Sequence, residues 1–213
     1  MNRVILAYSR LSRQLPAALV AQWRARLSGA CVARLRGDAQ LQTQTIAGVA
    51  LACRLLSAAA GREVATSELQ YTLRGKPHAI GLPEFSIAHA GTWVLCAMVS
   101  EGAVGVDLEP LVAQQSLPRW SQVFDAQERA AARTPRAALA IWTAKEAALK
   151  AAGATLAEAL RVRVRGRRVD FRGRRWHCRR PQLAPRVMVS LVTTLPIARV
   201  EVLPWSLGQV LQI

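Results

Sequence analysis

Two carboxylates, Asp107 and Glu109, stand in the segment Val104-Gly105-Val106-Asp107-Leu108-Glu109. In a β-strand, residues i and i+2 point to one face, which sets these side chains about 7 Å apart on one side while Val106 and Leu108 face the core. Like charges so placed repel unless a cation lies between them. Mg²⁺ suits such a pair, because it prefers oxygen ligands, takes one or two carboxylates, and leaves its other positions to water and substrate phosphate. Taken alone, an Asp-x-Glu strand end reads first as two solvated acids. A second segment is Ile141-Trp142-Thr143-Ala144-Lys145-Glu146-Ala147-Ala148-Leu149-Lys150. On a helix, Trp142, Glu146 and Lys150 stack along one face. They form either a surface Glu–Lys pair with the indole over its stems, or a third carboxylate beside lysines that serve a pyrophosphate. Spacing does not choose. A third element is the turn Arg74-Gly75-Lys76-Pro77, which presents a lysine, followed by Phe85-Ser86-Ile87-Ala88-His89-Ala90. A lone histidine at a strand end is ordinarily a hydrogen-bonded residue.

The elements that would carry these residues can be read from periodicity and punctuation. Val4–Tyr8 predicts a first strand, Pro16 to Leu27 a helix ended by Gly29, and Ala39 to Ala60 a longer helix stopped by Gly61. Phe85–His89 and Trp93–Val99 read as strands about a Gly91 turn, followed by Val104–Glu109. Asp125 and Glu128 form a capping box. Thr134-Pro135 starts a helix that runs to Ala152 and stops at Gly153. Strands are then expected at Leu160–Arg165, Arg168–Arg172, Arg186–Thr193 and Arg199–Leu203. The expected fold class is therefore α+β. It would comprise two similar, pseudo-duplicated halves (1–103 and 104–213), each a small, mostly antiparallel sheet packed with helices, with the site at their interface.

Composition narrows the class. Hydrophobic residues make up 52% of 213 residues, which excludes a disordered chain. No unbroken apolar run reaches the roughly 18 residues of a membrane span, and the N-terminus does not read as a signal peptide, so a cytoplasmic protein without membrane attachment is expected. The four cysteines lie far apart and predict neither a zinc site nor a disulfide framework. The net charge of +16 calls for an anionic partner without saying which. Only three of 29 basic residues are lysines, Lys76, Lys145 and Lys150, and all three fall in the segments singled out above. Arginine skew of this kind commonly follows genome composition; it also leaves lysine where a compact ammonium is needed.

The order Gly-Lys-Pro, Phe-Ser-Ile-x-His, Gly-Val-Asp-Leu-Glu and Trp-x-x-Lys-Glu-Ala-x-x-Lys resembles the surfactin-type (Sfp-type) phosphopantetheinyl transferases, over Arg74 to Gly153. The resemblance implies transfer of phosphopantetheine from coenzyme A to a serine of an apo acyl or peptidyl carrier protein, with release of 3′,5′-ADP. It implies Mg²⁺ held by Asp107, Glu109 and Glu146, with Glu146 also helping to deprotonate the serine. Lys145 and Lys150 would neutralise phosphates, Lys150 also protonating the leaving group. Lys76, Pro77 and His89 would meet the adenosine 3′-phosphate end, placing the nucleotide side in the first half and the metal and catalytic side in the second. Glu128 aligns with an acid often found in the family. Two departures stand out: Gln44, four residues before Gly48, replaces an arginine, and Ala88-His89-Ala90 replaces Ser-His-Ser. They predict weakened coenzyme A binding with the transfer chemistry retained, and turn attention to Arg34 and Arg36 as substitutes.

From Arg161 to Arg186 there are eleven arginines and one acid, Asp170, with Arg161, Arg163 and Arg165 alternating with valines. A cationic strand face of this kind would steer an acidic carrier protein. Two other readings stand: a family relative that binds carriers without modifying them, and a basic nucleic-acid-binding module. Aromatic residues, at 5%, are scarce for base stacking, so nucleic acid is the lesser expectation. The resemblance also implies a monomer, the usual state of the family's two-half members.

Overall fold

The computed structural model describes residues 2–111 and 121–212. In chain order these form β1 (Asn2–Arg10), α1 (Ala17–Arg26), α2 (Gly29–Val32), α3 (Ala39–Ala60), β2 (Gln70–Tyr71), β3 (Pro77–His78), β4 (Glu84–Ala90), β5 (Trp93–Val99) and β6 (Val104–Pro110). There follow α4 (Ala126–Ala131), α5 (Pro135–Ala152), β7 (Arg163–Arg165), β8 (Arg168–Phe171), β9 (Arg174–Arg179), β10 (Val187–Thr193), β11 (Ile197–Pro204) and α6 (Leu207–Leu211). The fold is α+β. One sheet has the order β11-β1-β5-β4 and the other β6-β10-β9-β8-β7, with a small β2–β3 hairpin apart.

Alternation along the strands explains the layering. In β5, Val94, Cys96 and Met98 face α3, while Leu95, Ala97 and Val99 face the second sheet. In β6, Val106 and Leu108 join that inter-sheet core together with Val189 and Leu191 of β10. The opposite face of the second sheet presents Val164, Val169, Trp176 and Val192 to Ala144 and Ala148 of α5. The order is thus helix, sheet, sheet, helix. The Ser86 hydroxyl of β4 accepts the Val106 N–H of β6 at 3.1 Å, joining the two sheets one residue from Asp107. Helix ends fall where capping chemistry puts them: Thr134 caps α5 with Pro135 at its first position, and Gly153 closes it in the left-handed conformation.

Several expectations are corrected. The expected halves 1–103 and 104–213 share a sheet, because β11 returns to pair in parallel with β1 and α6 packs Val210 into the first core. A cut at residue 103 would strip the first sheet of this neighbour and leave β1 as an open edge. The strand expected over Leu160–Arg165 is only three residues long; Leu156–Arg161 form 3₁₀ turns that bury Ala159. Strand β9, unforeseen among its arginines, buries Trp176 and Cys178. Helix α3 is long and apolar enough to cross a membrane, yet 67% of its most apolar stretch is buried in the fold, where it serves as the first core's central helix.

Candidate active site

The site is built where β6 lies against α5. Gly105 allows this contact: a Cβ there would stand 1.9 Å from the Ala147 carbonyl oxygen of α5. Two residues along the same face comes Asp107, and two further Glu109. Across from them α5 presents Trp142, Glu146 and Lys150, with Ala147 and Ala151 keeping the helix close to the strand. The structure therefore brings together Asp107, Glu109, Glu146 and Lys150, from segments about 40 residues apart.

Their electrostatics are unbalanced. Lys150 Nζ donates to Asp107 Oδ1 at 2.6 Å. Asp107 Oδ2 is buried with no hydrogen-bond partner, and burial pushes the Asp107 carboxyl above its ordinary range against the pull of Lys150. Burial and the Asp107 charge push Glu109 up to about 6, opposed by Lys150 and by a side-chain hydrogen bond with Trp142. Glu146 is pushed up to about 7 by burial, then by Asp107 and Glu109, with Lys150 opposing. Three carboxylates thus share one ammonium. Among the described residues no three such groups already stand converged as a closed ligand set; the Lys150 ammonium lies on Asp107 instead. The donor set still fits Mg²⁺, because it offers hard oxygens, a surplus of negative charge and one buried carboxylate oxygen without a partner.

Beside this cluster lies a cavity of about 270 Å³ lined by Arg34, Thr45, Tyr71, Gly75, Pro77 and His89, with apolar side chains of α3 and β4. The Arg34 guanidinium stacks over the Tyr71 ring at 4.5 Å. It passes so close to Gly75 that a Cβ there would meet its Nη2 at 2.7 Å, and the φ of +86° independently favours glycine. His89 is held below its ordinary pKa by burial and then by the Lys150 charge, which shows how near the cavity lies to the carboxylates. Gln44 and Gln40 both donate to the Gly91 carbonyl, at 2.7 and 2.9 Å, and fix the turn that follows His89. The Gln44 side chain, which the resemblance sets against an arginine, is thus engaged with that turn.

Two lysines are placed differently from what the resemblance implies. Lys76 points away from the cavity: its ammonium pairs with Glu84 and donates to the Ala151 carbonyl at 3.0 Å, pinning its loop to the C-terminal end of α5. Such a cation complements the partial negative charge of the helix end. Lys145 is not at the site. It is 1% exposed, pairs with Glu128 at 2.8 Å, and donates to the carbonyls of Ala159 and Val162. Consecutive helical residues point about 100° apart, so Lys145 must face the second core if Glu146 faces the carboxylates. Glu128 keeps its capping box and also accepts the Val164 N–H at 2.8 Å. Arg165, read in the sequence as part of a free cationic face, is tied to Asp125 at 2.7 Å. Tyr71, Thr45 and the closeness required at Gly105 left no mark in the sequence that spacing could detect; Arg34 drew notice there only as a stand-in for a missing base.

Residues 103–194 match the family model of the 4′-phosphopantetheinyl transferase superfamily. The matched stretch holds Asp107, Glu109, Glu146 and Lys150, while the cavity residues lie outside it. The chain is also 30% identical over 99 residues to a Synechocystis sp. protein whose name reads "Putative 4′-phosphopantetheinyl transferase". That alignment spans 40% of this chain and 40% of the relative's length.

Proposed function

We propose that this chain moves the 4′-phosphopantetheine group of coenzyme A onto a serine of an apo carrier protein, with Mg²⁺ bound at Asp107, Glu109 and Glu146, and releases 3′,5′-ADP. The observation that carries the proposal is the surplus of three facing carboxylates over one lysine, with a buried Asp107 oxygen left unpaired. The surfactin-type order of motifs and the superfamily match over residues 103–194 supply the reaction class.

When bound, Mg²⁺ would neutralise charge on the pyrophosphate oxygens. The chain's own residues do the rest. Arg34, Pro77 and His89 line the cavity proposed for the adenosine 3′-phosphate end, and the serine hydroxyl approaches the β-phosphate beside Glu146. The Ser O–P bond forms, the bond from that phosphorus to the bridging oxygen breaks, and 3′,5′-ADP leaves. Glu146, whose carboxyl is pushed up to about 7, accepts the hydroxyl proton, and Lys150 donates one toward the leaving phosphate. Such transfer depends mostly on positioning and on neutralising phosphate charge. Lys145 has no part in it beyond holding α5, and Lys76 contributes by fixing the Gly75–Pro77 turn.

Charge alone supports the rival of a nucleic-acid-binding module. Phe171 and Trp176, the two large aromatic side chains of the basic β7–β9 meander, are buried and offer no stacking surface. The deciding experiment incubates the protein with coenzyme A, Mg²⁺ and a panel of apo carriers, read by intact mass spectrometry. One phosphopantetheine of added mass, lost with EDTA and with Glu146→Gln, is the expected result. A folded protein that adds none to any carrier would refute the transfer.

A further inference from the structure

Four large apolar side chains stand out as the most exposed among the described residues: Leu73, Ile80, Leu156 and Leu160, at 109, 78, 59 and 62%. Three of them stand on two neighbouring segments. Leu73 sits in the turn between β2 and β3, and Leu156 and Leu160 lie on the 3₁₀ turns that follow α5. Two tethers hold these segments together. Arg74 bonds Glu158 at 3.2 Å, between the two leucines, and Lys76 bonds the Ala151 carbonyl at the end of α5. The junction lies about one helical turn beyond Lys150.

The rim of this apolar patch is cationic. Arg74 and Arg172 both bond Glu158, its one acid, and Arg161 adds a third guanidinium. Arg172 is held in place by the β8–β9 turn, where it is the sole non-glycine residue at positive φ among the described residues. Exposed leucines ringed by arginine make the pattern of a protein interface, apolar at the centre and charged at the edge. A phosphate backbone gains nothing from the leucines. A second copy would bring like-charged rims together in a chain that already carries +16.

We propose that the patch of Leu73, Leu156 and Leu160 is the docking surface for an acidic carrier protein, which seats an apolar helix face on the leucines and its carboxylates on Arg74, Arg161 and Arg172. The assignment rests on the transfer reaction proposed above, since a carrier docked here lies beside the end of α5 that carries Lys150.

The test uses Leu73→Asp and Leu160→Asp in the full chain, with transfer kinetics measured separately in carrier and in coenzyme A. The expected result is about a tenfold rise in KM for the carrier for each variant. KM for coenzyme A, kcat at saturating carrier and Tm stay at wild-type values, because both side chains are exposed. An unchanged carrier KM overturns the proposal. Should the wild-type protein transfer nothing, the activity fails on its own account, and fluorescence anisotropy of a labelled apo carrier decides the docking. Binding lost in Leu160→Asp then sustains it; binding that is absent, or undiminished in the variant, overturns it. Two further results also overturn it: a wild-type dimer dissolved by Leu160→Asp in sedimentation velocity, or anionic phosphatidylserine vesicles bound through the leucines while carrier KM is unmoved.

Discussion

Helix α5 carries two lysine–carboxylate pairs five residues apart, and they could hardly be treated more differently. Lys145 and Glu128 are both buried, and every polar atom has a use: the ammonium bonds one carboxylate and two carbonyls, and the carboxylate also serves a capping box and the Val164 amide. Lys150 and Asp107 are as close, at 2.6 Å, but two further carboxylates crowd them and one Asp107 oxygen has no partner. A satisfied buried pair is a structural joint. An unsatisfied one holds free energy in reserve for something that binds. The contrast teaches that charge and burial do not locate a site; the imbalance of donors and acceptors does.

The sharpest way to break the comparison is at the closed pair. Lys145→Met leaves the buried Glu128 carboxylate with only the longer Arg165 contact, at 3.7 Å, as an ion pair and is expected to cost about 3 kcal/mol of stability, read by urea denaturation. Pairing it with Glu128→Leu would still leave the Val164 amide and the α4 cap unserved, so only part of the loss should return. A Lys145→Met protein that folds as stably as wild type but no longer transfers would instead put Lys145 at the chemistry.

At the open pair the effects reverse. Glu146→Gln is expected to lower transfer by roughly 10²–10³-fold, the scale of losing one group that stabilises transition-state charge. Its Tm without metal should hold or rise, because a repelling carboxylate is gone. A sharp fall in Tm would make Glu146 a structural residue.

A pH series sharpens the same point. Glu146 rises from an ordinary 4.5 to about 7, and Glu109 to about 6. Carboxyls that hold their protons more tightly in the folded state favour folding below about 4.5 and lose that contribution as pH climbs through 6 to 7. Without metal, this part of the stability should therefore decline from pH 5 to pH 8. Mg²⁺, which binds the deprotonated forms, should raise Tm more at pH 8 than at pH 5.5. Calorimetry with and without Mg²⁺ reads this, and a Tm increment that does not grow with pH would count against the three-carboxylate site.

The smallest effect concerns charge that belongs to neither pair. Arg163 and Arg175 stand exposed on either side of Asp170 on the face of the second sheet turned away from α5. Exchanging both for glutamine should raise carrier KM by less than the leucine variants do and flatten its salt dependence, with only a small loss of stability. Arg165 does not belong in this test, since its guanidinium ties Asp125 into the closed network.

What the sequence determined by itself was local and periodic. A two-residue strand repeat put Asp107 and Glu109 on one face; a helical repeat put Trp142, Glu146 and Lys150 on another; a proline after a capping threonine and a glycine fixed the limits of α5. These follow from backbone geometry, which each segment carries within itself. Strand β9 escaped because its inward residues, Trp176 and Cys178, alternate among arginines that mask the apolar signal. Which lysine of α5 would stand beside Asp107 was decidable only once the helix had two neighbours, a strand end on one side and a hydrophobic core on the other. The return of β11 to β1, the Arg34–Tyr71 wall of the cavity and the closeness of Gly105 to α5 were likewise settled by tertiary structure. Each depends on residues distant in sequence and on which surface was left to cover, and no local repeat encodes that.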